Sequence, residues 1–259
     1  MQPFDRFPTA QLAPIRWVLS DVDDTLTQGP RLAAATYAAI ERLAAAGYRV
    51  VPVTAAPAGW CDLMARMWPI AAVIGENGGL CFRHDAAAGA TERRYWAAAA
   101  ERDRERARLV QLGRDILARV PGSALAPDQA WRETTLAFVN GGEPQAPAIA
   151  GHLAAAGARS TVNSMWVLGW FGGFDKLAMT RRALAELFAF DIDHHRDAVL
   201  YIGDSLNDEP MFGFFPHSVG VATVRHYVGQ MRTPPRWITK GGGGAGFVEV
   251  AAALFRAQH

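Results

Sequence analysis

The stretch Ile15-Arg16-Trp17-Val18-Leu19-Ser20-Asp21-Val22-Asp23-Asp24-Thr25-Leu26-Thr27 decides how the chain is read. Its first half is short and mostly apolar, and it runs into a cluster of carboxylates. Such a run reads as a buried strand with an acidic carboxyl end. Outward from it, residues 31–46 are Ala-rich, with Leu32, Tyr37, Ile40 and Leu43 at helical spacing and Gly47 as the stop. Residues 48–53 are a second apolar run, β-branched enough for a strand. Pro57 opens a helix through Met67. Residues 70–74 are a third strand, closed by the turn Gly75-Glu76-Asn77-Gly78-Gly79. Strand, helix, strand, helix, strand predicts a parallel sheet with crossover helices.

The pattern then changes. Residues 91–96 read as a strand, and 97–120 as a long Arg- and Glu-rich helix ended by Pro121-Gly122. A strand at 134–139, a helix at 147–156 and one or two strands over 160–170, broken near Ser164, follow without the earlier alternation. This is the signature of an inserted α+β module. The alternation resumes with an amphipathic helix at 175–190 and a strand at 198–202 that ends in a second acidic cluster. Strands at 217–222 and 237–239 and a helix at 246–256 close the chain. The low-complexity feature is Lys240-Gly241-Gly242-Gly243-Gly244.

Composition bounds the function. The 259 residues carry 26 Lys plus Arg against 25 Asp plus Glu, a formal net charge of +1. That argues against a nucleic-acid binder held by a global basic field. A hydrophobic fraction of 50% and a charged fraction of 20% support a real core rather than disorder. The length suits one large domain or a domain with an insertion. Two cysteines, Cys61 and Cys81, without a CxxC pattern, exclude a disulfide scaffold and read as ordinary thiols. No apolar run is long enough to cross a membrane, and the first 20 residues lack a signal-like apolar core. The expectation is a soluble, cytoplasmic protein with neither nucleic-acid nor membrane partners.

Ligands of open parallel sheets bind beyond the carboxyl ends of the strands. Two such ends here carry paired acids: Asp21-Val22-Asp23-Asp24-Thr25 and Gly203-Asp204-Ser205-Leu206-Asn207-Asp208. Alternation puts Asp21 and Asp23 on one side of the backbone. Acids converging on one point repel unless a cation sits among them, and oxygen ligands in that number suit Mg²⁺. Asp-rich turns also cap helices, but two clusters, each at the end of an apolar strand, favour a site. Thr54 ends the second strand, where a hydroxyl can donate to a phosphate oxygen. Lys176 starts the helix that resumes the core, where its ammonium can neutralise charge.

In that order (Asp21-Val22-Asp23-Asp24-Thr25, then Thr54, Lys176 and Gly203-Asp204-Ser205-Leu206-Asn207-Asp208) the chain resembles the haloacid dehalogenase superfamily, specifically its magnesium-dependent phosphatases. The insertion between Thr54 and Lys176 and the Glu76-Asn77-Gly78-Gly79 turn resemble the type IIB cap subfamily. The Gly243-Gly244-Ala245-Gly246-Phe247 stretch is similar to segments of mannosyl-3-phosphoglycerate and sucrose-phosphate phosphatases. The resemblance implies a Rossmann-like α/β core over residues 1–81 and 166–259, with an α+β cap over 82–165. It implies Asp21 as nucleophile, forming an aspartyl-phosphate, and Asp23 as general acid and base. It implies Mg²⁺ held by Asp21, the backbone carbonyl of Asp23 and Asp204, with Asp208 supporting the metal directly, through water or by orienting Lys176. Thr54, Lys176 and Asn207 would bind phosphate.

Two departures stand out. The family commonly has Gly after the second Asp of its first motif, where this chain has Asp24. It commonly has Gly-Arg after the Thr of its second motif, where this chain has Ala55-Ala56-Pro57. Arg181, Arg225 or a cap arginine could take the place of the missing guanidinium. The implied function is hydrolysis of a small phosphorylated metabolite, a sugar phosphate or phosphoglycerate-type ester. A phosphotransferase or mutase on the same intermediate, or a silent binding protein on the same fold, are the alternatives.

Other residues read more plainly. His194 and His195 fall in a solvated connecting loop. The sign-alternating Glu101-Arg102-Asp103-Arg104-Glu105-Arg106 is an exposed helical face, unless some of its arginines meet an anionic substrate. Trp166, Trp170 and Phe171 are core or hinge packing, or an aromatic wall facing a sugar ring. Oligomeric state is not legible.

Overall fold

The computed structural model describes residues 1–163 and 165–257. In chain order it runs β1 (Trp17–Ser20), α1 (Ala34–Ala45), β2 (Arg49–Pro52), α2 (Ala58–Met67) and β3 (Val73–Gly75). The strands β4 (Leu80–Asp85) and β5 (Ala90–Tyr95) follow. Next come α3 (Ala99–Arg119), β6 (Leu136–Val139), α4 (Gln145–Ala155), β7 (Arg159–Val162) and β8 (Trp166–Trp170). The chain returns with α5 (Lys176–Phe188), β9 (Val199–Gly203), α6 (Glu209–Phe214), β10 (His217–Gly220), β11 (Trp237–Ile238) and α7 (Gly243–Arg256). Among the described residues no helix is long and apolar enough to cross a membrane.

The central sheet is parallel, in the order Gln2–Pro3, β11, β10, β9, β1, β2. Its central strands are apolar at successive positions because both faces are covered. Val18, Val50, Leu200 and Ile202 point to one face, where Ile40 and Leu43 of α1 and Phe247, Val250 and Leu254 of α7 pack on them. Trp17, Leu19, Val51 and Tyr201, one residue out of step, point to the other face. There they meet Met179 and Leu184 of α5 and Met211 and Phe212 of α6. β3 joins at the side of β2 through a parallel bridge between Val53 and Ile74; β4 pairs antiparallel with β3, and β5 antiparallel with β4.

The middle of the chain forms a second sheet, β7-β8-β6, wholly antiparallel. One face, with Leu136, Phe138 and Val167, packs under α3 and α4 through Leu109, Ile116, Ile149 and Leu153. The opposite face, with Ala137, Leu168 and Trp170, meets Ala55 and Phe174. This sheet is thereby pressed toward the carboxyl end of β2.

Several elements depart from the sequence-based expectation. Residues 31–32 are not helical: Arg31–Leu32 pairs antiparallel with Thr27–Gln28 around Gly29, and α1 starts at Ala34. β4 is not evident in sequence, since its apolar stretch is only Leu80-Cys81-Phe82 before Arg83-His84-Asp85. The break near Ser164 falls on a residue outside those described. The glycine run is not a loose loop. Gly243 and Gly244 open α7 and are buried, and a Cβ on Gly244 would overlap the Thr36 hydroxyl and the Leu26 carbonyl. Glycine there lets α7 lie directly against the segment after Asp21.

Candidate active site

Strand register brings the acids together. The ladder continues past the ends of the strands. Asp21 N–H donates to the Ile202 carbonyl at 2.9 Å, and Val53 N–H donates to the Ser20 carbonyl at 2.7 Å. Asp21, Thr54 and Asp204 therefore leave three neighbouring strands at the same edge of the sheet. Asp21, Thr54, Lys176, Asp204, Asn207 and Asp208 are all buried, while Asp23 is partly exposed.

Lys176 is the hub. Its Nζ donates to Asp21 Oδ1 at 2.8 Å and to Asp208 Oδ1 at 2.7 Å. It is delivered by the first turn of α5, whose N-cap Asp175 accepts from Ala178 N–H at 2.8 Å. Burial opposes its charge, but Asp208 and Asp21 outweigh burial and hold the ammonium above its ordinary range. Asp208 is saturated. Besides Lys176, its Oδ1 accepts from the Tyr201 hydroxyl, and its Oδ2 accepts from Asp204 N–H at 2.9 Å and Ser205 N–H at 3.0 Å. It thus holds Lys176 in place, one of the tasks the sequence left open to it. Tyr201, which the sequence places only within the strand at 198–202, is the missed partner. Period-two alternation puts its side chain on the α5 face of β9, but nothing in sequence gives its hydroxyl a target.

Asp204 accepts from the Thr25 hydroxyl at 3.0 Å. Carboxylate oxygens of Asp21, Asp204 and Asp208 all lie within 4.8 Å of one another. Burial raises Asp21 to about 7, with Lys176 opposing and Asp208 and Asp23 adding. Burial also raises Asp204 well above the usual carboxylate range, and Asp21 and Asp208 reinforce it. Three buried acids around a single ammonium carry excess negative charge, and their hard oxygens are the donor set of a hard divalent cation. Burial likewise raises Asp23, against the pull of Lys176.

Asp24 has φ 56°, in the left-handed region. That explains why a glycine suits this position. Aspartate tolerates it, and here Asp24 Oδ1 accepts from Gly29 N–H at 3.0 Å. The Thr54 hydroxyl accepts from Ala56 N–H at 3.0 Å and keeps its own proton to donate. Asn207 Oδ1 accepts from the Ser205 hydroxyl at 2.7 Å.

The missing arginine has no simple replacement. Arg181 pairs with Asp193 at 2.8 Å on the surface, and Arg225 is exposed. Arg132 of the inserted module does reach the second motif, donating from Nη1 to the Ala55 carbonyl at 2.9 Å. Its Nε and Nη2, however, fork onto Asp128 at 2.9 and 3.0 Å. The same module is tied down by Glu76, which is fully buried. Glu76 Oε1 accepts from Ala58 N–H (3.0 Å) and Glu133 N–H (2.8 Å). Its Oε2 accepts from the N–H groups of Thr134 (2.7 Å) and Thr135 (2.8 Å) and from both hydroxyls (2.8 and 2.9 Å). Asp23 opens onto a cavity between the two parts, walled by Trp60 on one side and Trp166 on the other.

By sequence, no family model and no curated protein matches the chain. By structure, it is similar to a protein from Thermoplasma acidophilum (19% identity, TM-score 0.71, covering 93% of this chain and 98% of that one). It is also similar to a haloacid dehalogenase-like hydrolase from Bacteroides thetaiotaomicron (16% identity, TM-score 0.67, covering 93% and 100%). A third similar structure is the sucrose-phosphatase of a Synechocystis species in complex with sucrose and phosphate (12% identity, TM-score 0.64, covering 92% and 97%).

Proposed function

We propose that this chain, which has the fold of the haloacid dehalogenase-like hydrolases, is a phosphomonoester hydrolase acting on a small phosphorylated metabolite. The observation that carries the reading is the Lys176 ammonium bridging Asp21 and Asp208 beside Asp204 at the carboxyl edge of the sheet. A phosphatase of this kind needs a buried carboxylate nucleophile with fixed positive charge beside it.

In this reading Asp21 attacks phosphorus. An O–P bond forms to its carboxylate, and the bond to the alcohol breaks. Asp23, whose burial favours the protonated form, gives its proton to the departing alkoxide. Asp23 then takes a proton from the water that opens the aspartyl-phosphate, releasing phosphate and restoring Asp21. Lys176 holds Asp21 and meets the phosphoryl oxygens as charge shifts. The Thr54 hydroxyl and the Asn207 amide donate to the same oxygens. Asp21, Asp204 and the Asp23 carbonyl would hold Mg²⁺, which when bound supplies charge neutralisation at the phosphoryl group. Asp208 serves by fixing Lys176.

Residues 82–165 act as the cap that excludes water and selects the alcohol; the strands β4 and β5 at its root remain bonded to the core through β3. The test is hydrolysis of p-nitrophenyl phosphate with Mg²⁺ by the wild type and Asp21→Asn. Loss of the nucleophile is expected to lower kcat by at least about a thousandfold. Undiminished turnover in the variant would sink the assignment.

A further inference from the structure

The cavity beside Asp23 holds about 170 Å³. Pro57 and Trp60 of the α2 region face Met165 and Trp166 across it, and its two carboxylates are Asp23 and Asp128. Trp60 is 53% exposed and offers apolar surface to a ligand. The opposite wall is held rigidly. Asn163 Oδ1 accepts from the N–H groups of Met165 and Trp166 at 3.0 and 2.7 Å, and the Asn163 carbonyl is itself held by Asn140 Nδ2 at 2.7 Å.

Charge narrows what this cavity takes. Among the described residues that line it there is no lysine or arginine. The guanidinium that meets the cavity's Asp128, that of Arg132, is buried and forked onto that carboxylate, and its Nη1 is occupied by the Ala55 carbonyl and by Thr135 Oγ1 at 3.2 Å. An anionic alcohol would therefore be buried beside the Asp23 acid with no free cation among the described lining residues to pair with it, because Arg132 is already committed to Asp128, and that is costly. Size narrows it further. Pockets for drug-sized ligands run to about 300–1,000 Å³, so this one has room for a single ring.

Resting on the phosphatase reading above, we infer that the leaving group is a compact, uncharged alcohol with an apolar face, a lone sugar ring or an aromatic ring. Esters whose alcohol bears a carboxylate or a second ring are poor substrates. The chain would then differ in substrate from both subfamilies whose segments it resembles, since mannosyl-3-phosphoglycerate carries a carboxylate and sucrose phosphate has two rings.

The test compares kcat/KM on the full chain with Mg²⁺ for matched esters. Phenyl phosphate is set against 4-carboxyphenyl phosphate, and a hexose 6-phosphate against 3-phosphoglycerate and sucrose 6-phosphate. At least about a tenfold preference for the neutral single-ring ester is expected in each pair. The carboxyphenolate is the better leaving group, so chemistry alone would push the first pair the other way. Equal or reversed preferences, with hydrolysis intact, overturn this inference and leave the phosphatase reading standing. Hydrolysis of none of the esters overturns both. Trp166→Ala is expected to raise KM for phenyl phosphate severalfold, with inhibition by orthophosphate, which has no leaving group, as the check that the site is intact. An unchanged KM counts against the inference as well.

Discussion

At the scale of single residues, the site turns on one buried ammonium shared by two carboxylates. Lys176 is charged because Asp21 and Asp208 face it, and Asp208 is placed because Tyr201 and two backbone N–H groups fill its remaining lone pairs. Tyr201→Phe removes one donor and keeps the ring that packs on Phe212 and Phe215. It is expected to cost about 1–3 kcal/mol in urea denaturation. Loss of such a supporting hydrogen bond should also lower kcat by roughly 10–100-fold. A variant with wild-type kcat would show that Lys176 needs no help from Tyr201. Asp24 makes the opposite point. The substitution of the family's customary glycine adds an acid to the first motif, yet its left-handed backbone and its bond to Gly29 show a turn residue filling a turn's requirement.

At the scale of elements, the turn after β3 does more than end a strand. Glu76 and Asn77 both have positive φ, 49° and 58°, a strained choice for two successive non-glycine residues. The strain is offset by what Glu76 then reaches: the first N–H of α2 and the strip 133–135 that leads into β6. Gly78 and Gly79 let this strip and the start of α5 approach, since a Cβ on either would overlap Asp175 or Thr134. Glu76→Ala would leave several buried donors without an acceptor, each costing about 1–3 kcal/mol. A loss of at least about 3 kcal/mol in urea denaturation is expected, with faster proteolysis within residues 126–135. Near-wild-type stability would mean that the module is seated by its apolar face alone.

At the scale of the whole molecule, the two sheets share one seam. The central sheet ends its strands at the acids, and the second sheet turns Ala137, Leu168 and Trp170 toward that edge. The acidic centre lies beneath it with three carboxylates and one ammonium. If a divalent cation completes it, stability should depend on Mg²⁺. A ligand at a hundred times its Kd adds about 2.7 kcal/mol. At about 2–4 °C per kcal/mol for a chain of this size, millimolar Mg²⁺ should raise Tm by several degrees, and EDTA should reverse the rise. Asp204→Asn should abolish most of it. A Tm indifferent to Mg²⁺ would speak against a metal held by these residues, whatever the activity assay gives.

The sequence by itself determined the parallel core, the interruption by an α+β module and the order of Asp21, Thr54, Lys176 and Asp204. These follow from local patterns: apolar strands, their acidic ends, and helix starts that chain order alone brings to one edge of a sheet. The strand β4 and the hairpin at Thr27–Gln28 were not legible although their partners are near in sequence, because Arg83-His84-Asp85 and the two-residue strands carry too little apolar alternation to signal pairing. The buried role of the glycine run was not legible either, because it depends on a close backbone approach. The same holds for the supporting residues. Tyr201 looks like any core strand residue, Glu76 like any turn acid, and Arg132 like one of many arginines. Only the tertiary structure gives Tyr201 its carboxylate, spends the charge of Arg132 on Asp128 and makes Glu76 the anchor of the inserted module. Side-chain hydrogen bonds leave no period in the sequence, whether the partners are near, as in Arg132–Asp128 and Tyr201–Asp208, or far apart, as in Glu76 and the strip 133–135. The folded backbone decides which partners meet, and with them the size and charge of the cavity beside Asp23.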